Sequence, residues 1–351
     1  MTPTVPLTLW AQETADEFWE HRVPVEGTFE LTRACPFSCP HCYCPEATPG
    51  AELTTPQILG LLDELAEAGC LWLTLTGGEP LAHPGFERIY LHAVERGFLV
   101  TLFTNGFLLD RRVREVLAYR APASIEISVY GVSEHGYGRA TGRPDAWPAV
   151  RAHVEAAVAE GLPVTLKTVL TRATAPELDA MATWARDLGV GFRFDPAINP
   201  RLDGAAQPLG ERLSPEEVLA VEARFSDRSE AWREACALPS GGAGPNGLGC
   251  GAGRTAFHLT AEGAVTPCLL LPGVGVSALE GGFRAAWERD IPRMLDLLPP
   301  GNPECGACDL GNLCDHCPAW AFLEHGRWNA RVEYLCSLAH GRAEAFGRKC
   351  A

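Results

Sequence analysis

Cys35, Cys39 and Cys42 stand at CxxxCxxC spacing in RACPFSCPHCYC. Three thiolates so placed can hold three irons of a cubane cluster and leave the fourth iron without a protein ligand, which makes that iron reactive. The same spacing occurs in zinc sites, so the loop taken alone also admits a structural zinc ion. Cys44 follows at a distance that breaks the pattern and reads as a neighbour rather than a ligand. Seven more cysteines, Cys250, Cys268, Cys305, Cys308, Cys314, Cys317 and Cys336, crowd the C-terminal part, and the run CGACDLGNLCDHC is dense enough to demand a metal or a cluster, with a zinc ribbon as the alternative. Of the 14 cysteines, Cys70 reads as core at a helix–strand junction and Cys350 as part of a frayed tail. The start, MTPTVPLTLWAQETADEFWEH, has no basic segment followed by an apolar one. A cytoplasmic location is therefore expected, where tight CxxC spacings mean ligation rather than disulfides.

A second set of candidates comes from polar residues set into apolar strands. Glu126, Ser128 and Tyr130 share one face of their run, Thr165 and Lys167 one face of theirs, and Arg193 and Asp195 one face of the last. They read as a barrel interior or as a solvated sheet edge. Lys167, one of only two lysines with Lys349, lies between Leu166 and Thr168 and needs a partner or a ligand there. Glu126, Tyr130, Lys167, Arg193 and Asp195 are the candidates for substrate contact or proton transfer, on their strand-end placement. In TGGEP, the adjacent Gly77 and Gly78 allow close approach of a ligand, and Glu79, before Pro80, offers an acceptor to an ammonium group.

These residues need a frame that brings strand ends together. Between residues 27 and 198, six β-rich runs alternate with amphipathic helical runs, the pattern of a parallel sheet, open or curled into a partial barrel. The first cysteine loop begins where the first run ends, at the mouth where such folds keep their active sites. In TTPQILGLLDELAEAG, Thr55 can cap, Pro56 suits the first helical position, and Ile58, Leu61, Leu62 and Leu65 share a face. After Asn199 the rhythm stops, and a capping box from Ser214 to Glu217 opens a helix running to about Ala235. Four segments follow: an extension at 1–26, the barrel at 27–198, a connector at 199–249 and a cysteine-rich domain at 250–351. Hydrophobic residues at 46% against 21% charged fit a globular protein. The net charge of −15 excludes a general nucleic-acid binder, and no apolar run approaches the roughly 20 residues that cross a bilayer.

The cysteine loop resembles the motif of the radical S-adenosylmethionine (SAM) superfamily, CxxxCxΦC, with His41 in the aromatic position and Tyr43 following. TGGEP looks like that family's GGEP motif, and FTNG (103–106) and SVYG (128–131) end the third and fourth strands as in many members. The resemblance implies a [4Fe-4S] cluster on Cys35, Cys39 and Cys42, whose open iron chelates SAM and, once reduced, cleaves it to a 5′-deoxyadenosyl radical. It further implies SAM contacts from Gly77, Gly78, Glu79, Pro80, Thr104, Asn105 and Ser128, with Arg139 of YGRATG as partner of the SAM carboxylate. Thr104, Asn105 and Ser128 are also ordinary turn residues. From residue 250 the chain resembles a SPASM domain, with EGAVTPC (262–268) as its hairpin entry. That likeness implies two auxiliary [4Fe-4S] clusters, the outer on Cys305, Cys308, Cys314 and Cys336, the inner on Cys250, Cys268 and Cys317. The chain departs from the fullest pattern: no cysteine lies within 251–256, and Cys314 to Cys317 is one residue shorter than usual. The inner cluster would then keep an open site or recruit Cys236.

The implied fold, over residues 27 to 340, is α/β: a partial (β/α)6 TIM-like barrel followed by a small cysteine-rich α+β SPASM domain. The implied function is modification of a ribosomally synthesised peptide or protein, by hydrogen abstraction and then cross-linking, epimerisation or oxidation. Sulfatase-maturase-like action or tetrapyrrole processing is the alternative among enzymes, and a zinc-binding scaffold the alternative outside them. With about 25 residues before the first strand, a separate leader-recognition protein is expected as a partner, together with a precursor peptide and a reductant such as flavodoxin or ferredoxin.

Overall fold

Alternating apolar and polar residues in the β-rich runs separate two faces, and six strands form accordingly: β1 (Glu26–Glu30), β2 (Trp72–Thr76), β3 (Leu99–Thr104), β4 (Ser124–Ser128), β5 (Val164–Val169) and β6 (Gly191–Asp195). The structure is a computed structural model describing residues 7–45, 52–238, 247–271 and 273–347. The strands lie side by side in chain order and all parallel. Successive β–α crossovers of one hand produce that order, which is the α/β partial barrel expected. Leu102 pairs with Ile125 and Ile125 with Val164, a buried apolar row on the helix side. One residue along, Phe103 pairs with Glu126 and Glu126 with Thr165, on the opposite face. A register slip of one residue would exchange the two rows, so burial of the apolar one fixes which residues look inward.

Helix α1 (Leu7–Glu20) precedes the barrel, and α2 (Thr55–Glu67), α3 (Phe86–Glu95), α4 (Arg111–Tyr119), α5 (Glu134–Thr141), α6 (Ala146–Ala159) and α7 (Leu178–Leu188) accompany its strands. Ile58, Leu61, Leu62 and Leu65 of α2 are buried as their spacing predicts, each contributing about 1.5–3 kcal/mol over exposure. The cap of α2 is Thr54 rather than Thr55. The backbone N–H and hydroxyl of Thr54 both donate to Gln57 Oε1, at 2.8 and 2.7 Å, whereas the residue three after Thr55 is Ile58, which can return no bond. YGRATG falls in α5, a helix not foreseen, capped by the Ser133 hydroxyl accepting from Gly136 N–H at 2.9 Å.

The capping box at Ser214 is present, with Ser214 N–H donating to Glu217 Oε2 at 2.7 Å and Glu217 N–H to Ser214 Oγ at 3.2 Å. The helix it opens does not run to Ala235. It divides into α8 (Pro215–Glu222) and α9 (Ser226–Ala237). Phe225 takes an extended backbone between them and packs its ring on Phe194, with centroids 5.0 Å apart.

Past the connector the same sheet continues across residue 249. β7 (Ala256–Leu259) pairs parallel with β1, and β8 (Ala264–Thr266) and β9 (Val276–Ser277) add antiparallel strands. The C-terminal cysteines are thus docked through the strand that carries the first cysteine loop. Arg33, just past β1, donates to both oxygens of Glu262 in the β7–β8 turn (3.1 and 3.2 Å) and pairs with Glu30 at 3.0 Å. At the far end, Arg342 of the last helix, Glu333–Phe346, is fully buried and forms a fork on Glu222 of α8 (3.0 and 3.2 Å). Its guanidinium also donates to the Leu313 carbonyl and to Asp315, beside Cys314. Cys350 lies outside the described residues. Among the described residues no helix is long and apolar enough to cross a membrane.

Candidate active site

The barrel strands end around a cavity of about 610 Å3. The loop after β1 contributes Cys35, Cys39 and Cys42 to its wall, the turn after β2 contributes Gly77, Gly78 and Glu79, and β3 contributes Phe103, Thr104 and Asn105. Ser128 of β4, Tyr130 just past it, Lys167 of β5, and Arg193 and Asp195 of β6 complete the far side. Ser128, Tyr130, Lys167, Arg193 and Asp195 therefore face a shared interior that opens to solvent along β6. Three expected residues are not part of the wall. Pro80 opens a single 3-10 turn. Glu126 lies behind Lys167 and Arg193. Arg139 is exposed on α5, and its guanidinium donates to the Arg172 carbonyl at 3.4 Å.

The cysteine loop is held from several sides. Thr32 Oγ1 and Arg33 N–H donate to the two oxygens of Glu52 at 2.8 and 2.6 Å. Ser38 N–H donates to the carbonyl of Thr141 at the end of α5. The glycine pair is required by this loop: a Cβ on Gly77 would stand 2.3 Å from the Thr32 carbonyl oxygen, and one on Gly78 would stand 2.4 Å from that of Arg33. Gly77 also has φ +136°, a conformation side chains rarely adopt. Instead of a Cβ there are two backbone bonds, Gly78 N–H to Thr32 and Glu79 N–H to Ala34, at 2.8 and 2.9 Å.

Glu79 is fully buried and ties three strand-end groups together. Its Oε1 accepts from Thr104 Oγ1 at 2.7 Å and Leu81 N–H at 3.1 Å, and its Oε2 from Asn105 N–H at 2.7 Å. Burial pushes its pKa up to about 7 against those donors. A carboxylate has about four acceptor positions, so three donors leave one for a ligand ammonium. Asn105 also sends its Nδ2 toward Cys35 Sγ at 3.7 Å. Burial raises the Cys35 thiol to about 11 and Cys39 further, while a hydrogen bond with Cys44 lowers Cys42 to about 7. Cys35 and Cys39 therefore keep their protons at neutral pH until a metal displaces them. His41 is buried against Tyr130, centroids 5.3 Å apart, with Nδ1 unpartnered and its pKa pushed down to about 4 by burial.

On the opposite wall, Lys167 Nζ donates to Glu126 Oε2 at 3.1 Å and lies over the Phe103 ring. Arg193 donates to the same oxygen of Glu126. Burial alone would raise the Glu126 carboxyl, but the two cations hold it below its ordinary range. Burial pushes Lys167 down to about 8 in spite of Glu126. Asp195 is raised by the surrounding protein, and Tyr130 strongly so by burial.

Two positioning residues escaped the reading of the sequence. Glu177, at the start of α7, accepts from Val132 N–H at 2.6 Å and Ser133 Oγ at 2.5 Å, and so fixes the chain after β4. Glu52 does the same for the cysteine loop. Neither belongs to a motif. Phe103 could have been found, since it alternates inward on β3 like its neighbours.

A second cavity, of about 530 Å3, has Cys305, Cys308, Cys314 and Cys336 in its wall, joined by His316 and Arg331. Cys268 is neighboured by Cys317 and Cys250, whose charges add to burial in raising its pKa to about 12. The four cysteines that the resemblance assigns to the outer cluster thus line one cavity, and the three assigned to the inner one are neighbours. Cys236 is on α9, which packs against the last helix and the turn at 311–313. Among the described residues no three Cys, His, Asp or Glu side chains converge closely enough to hold a single metal ion.

A family model described as the radical SAM superfamily matches residues 29–185. An AdoMet-dependent heme synthase of Methanosarcina barkeri is 26% identical over 329 residues, covering 87% of this chain and 94% of the relative. The mycofactocin maturase MftC of Mycobacterium ulcerans is 27% identical over 331 residues, covering 90% of this chain and 86% of the relative. A PqqA peptide cyclase of Gluconobacter oxydans is 34% identical over 170 residues, 48% of each chain. Among solved structures, anSMEcpe with bound AdoMet and the Cp18Cys peptide superposes with a TM-score of 0.71 at 16% identity, covering 92% of this chain and 96% of that one, which shows a common fold.

Proposed function

We propose that the chain, whose residues 29–185 match the radical SAM superfamily, is a radical SAM enzyme that modifies a ribosomally synthesised peptide or protein by hydrogen abstraction, followed by cross-linking, epimerisation or oxidation. The observation that carries the chemistry is the meeting of Cys35, Cys39 and Cys42 with Glu79, Asn105, Ser128 and the β5–β6 side chains around one cavity. The donor set fits a cluster with an open iron: three sulfurs, an amide pointing at one of them, and a carboxylate with one acceptor position to spare. When bound, the cluster and SAM supply a carbon-centred radical that removes hydrogen from the substrate.

The chain's own residues then have separable tasks. Cys35, Cys39 and Cys42 hold the cluster, and Asn105 orients Cys35. Gly77 and Gly78 let the β2 turn clamp the cysteine loop, and Glu79 receives the SAM ammonium while joining the ends of β2 and β3. Ser128, which lines the cavity, would hold the SAM ribose. Arg139 reaches a ligand carboxylate only by leaving the Arg172 carbonyl. Tyr130 and the buried aromatic residues near it keep water from the centre. The cysteines at 250, 268 and 317 and those at 305, 308, 314 and 336 would hold two auxiliary clusters supplying electron transfer, the inner one open or completed by Cys236. A separate leader-recognition protein, a flavodoxin or ferredoxin reductant and a cytoplasmic setting complete the proposal. The peptide as substrate is supported by likeness to the peptide cyclase and the mycofactocin maturase.

A second reading, action on a tetrapyrrole, is favoured by likeness to the heme synthase over 94% of that relative's length. Gene neighbours separate the two, since a short open reading frame containing Cys, Trp or Tyr beside this gene supports the peptide. The chemistry itself is tested by anaerobic iron and sulfide counting on the wild type and on a variant with Cys35, Cys39 and Cys42 all changed to Ala. The expected result is loss of about one cluster with about two retained, and loss of 5′-deoxyadenosine formation after reduction. Wild-type protein without labile sulfide, or unable to cleave SAM when reduced, rules the reading out.

A further inference from the structure

On the inner wall of β4 to β6, two cations share a single ion-pair partner. Ser128, Lys167 and Arg193 are register partners across three adjacent strands, so their side chains form one row in the cavity. Lys167 and Arg193 both pair with one acid, Glu126, and with the same oxygen of it. Among the described residues neither cation has another ion-pair partner. Asp195, two residues along β6, instead accepts from Ala197 N–H at 2.8 Å. Other cations of the wall are matched: Arg33 by Glu30 and Glu262, Arg201 by Asp203.

We propose that Lys167 and Arg193 form a carboxylate-binding pair, with Glu126 as the positioning residue behind them, so that the substrate places an acidic group beside the reaction centre. This rests on the radical SAM reading above and narrows its substrate class. Both cations meet one oxygen of Glu126, and Asp195 is turned to Ala197 N–H, so the other donors of the Arg193 guanidinium are directed to the cavity. The side chain of Lys167 is 15% exposed and lies over Phe103, whereas that of Arg193 is 53% exposed and lines the cavity. A guanidinium fork takes two oxygens of an incoming carboxylate and the ammonium takes one of them as well, a fit that a neutral amide lacks. The depressed pKa of Lys167 agrees with an ammonium short of compensation. The acid can be a Glu or Asp side chain, a peptide C-terminus or a propionate, which share this chemistry.

The scarcity of lysine supplies the probe. Reductive 13C-methylation of the reconstituted holoenzyme labels Lys167, Lys349 and the N-terminus, and Lys167→Met assigns the Lys167 signal. Glutarate, glutaramide, an acetylated Glu-containing pentapeptide and a propionate-bearing porphyrin are titrated in saturating SAM. The Lys167 signal is expected to move with glutarate and not with glutaramide, and Arg193→Gln to weaken apparent glutarate binding by roughly tenfold or more, with partial recovery in Arg193→Lys. Cluster absorbance reports that each variant has folded. Whichever of pentapeptide and porphyrin moves the signal at lower concentration identifies the source of the acid. Equal response to glutarate and glutaramide overturns the proposal. So does a glutarate response seen without SAM and abolished by it, because the pair then holds the cofactor's own carboxylate. Formation of 5′-deoxyadenosine is measured on the same samples: if it fails while glutarate binding persists, the radical SAM reading falls and the carboxylate pair stands.

Discussion

At the scale of single residues, the site works by making one group serve several. Glu79 joins the ends of β2 and β3, Asn105 serves both Glu79 and Cys35, and one oxygen of Glu126 anchors Lys167 and Arg193. Burial of Lys167 in this row shows in ionisation. With its folded pKa near 8 against the ordinary 10.5, Lys167 binds fewer protons in the folded than in the unfolded chain between those values. Stability therefore rises with pH across about 8 to 10.5 from this group, and burying the ammonium costs up to a few kcal/mol below that window. The 13C-methyl signal of Lys167 is expected to titrate near pH 8 in folded protein and near its ordinary value in denaturant. An unshifted titration in the folded protein contradicts the buried ammonium.

At the scale of elements, the cysteine loop takes its shape from its neighbours. The β2 turn touches it through backbone alone, which is why two glycines stand together there. Gly78→Ala places a methyl group 2.4 Å from the Arg33 carbonyl oxygen and 2.8 Å from that of Ala34. The variant is expected to lose about 1–3 kcal/mol, as overpacked sites do, and to release its first cluster faster under chelator. Gly60, in the interior of α2 with nothing within 4 Å of a Cβ, serves as the contrast. Gly60→Ala is expected to stabilise by about 0.5–1 kcal/mol, because alanine is the better helix former. Thermal melts of the two variants check both signs. Helices α2, α3, α4, α6 and α7 were legible because each carries its own periodicity, whereas α1 and α5 were not foreseen. The division between α8 and α9 was not, since it depends on Phe225 packing against Phe194 of β6, a contact between distant segments.

At the scale of the whole molecule, barrel and cysteine-rich region share one sheet and are tied by ion pairs at both ends. Arg342 is the inner tie, with Glu222, the Leu313 carbonyl and Asp315 around it and Trp232 against its guanidinium at 4.0 Å. Among the described residues, removing Arg342 leaves the buried Glu222 only the more distant Arg228, at 3.5 Å, a loss at the lower end of the about 3–5 kcal/mol of a broken buried pair. Arg342→Met is therefore expected to lower the melting point and to lose iron from the C-terminal cysteines first, leaving the Cys35 loop loaded. Iron counting beside SAM cleavage checks the order, and simultaneous loss of all iron contradicts it.

The sequence by itself determined the cysteine spacings, the glycine pair, the six-strand rhythm and the inward row of β4 to β6, because spacing and alternation are properties of neighbouring positions. Only the tertiary structure decided that Arg33 reaches Glu262, 229 positions away, that Arg193 and Lys167 share one oxygen of Glu126, and that Arg139 turns to Arg172. Partner choice among charged side chains depends on where the strands and loops bring them, and an exposed or buried arginine looks the same in a string of letters. The glycine pair has the same lesson. Its type announced a close approach, and the fold shows that the approaching group is the backbone of the cysteine loop.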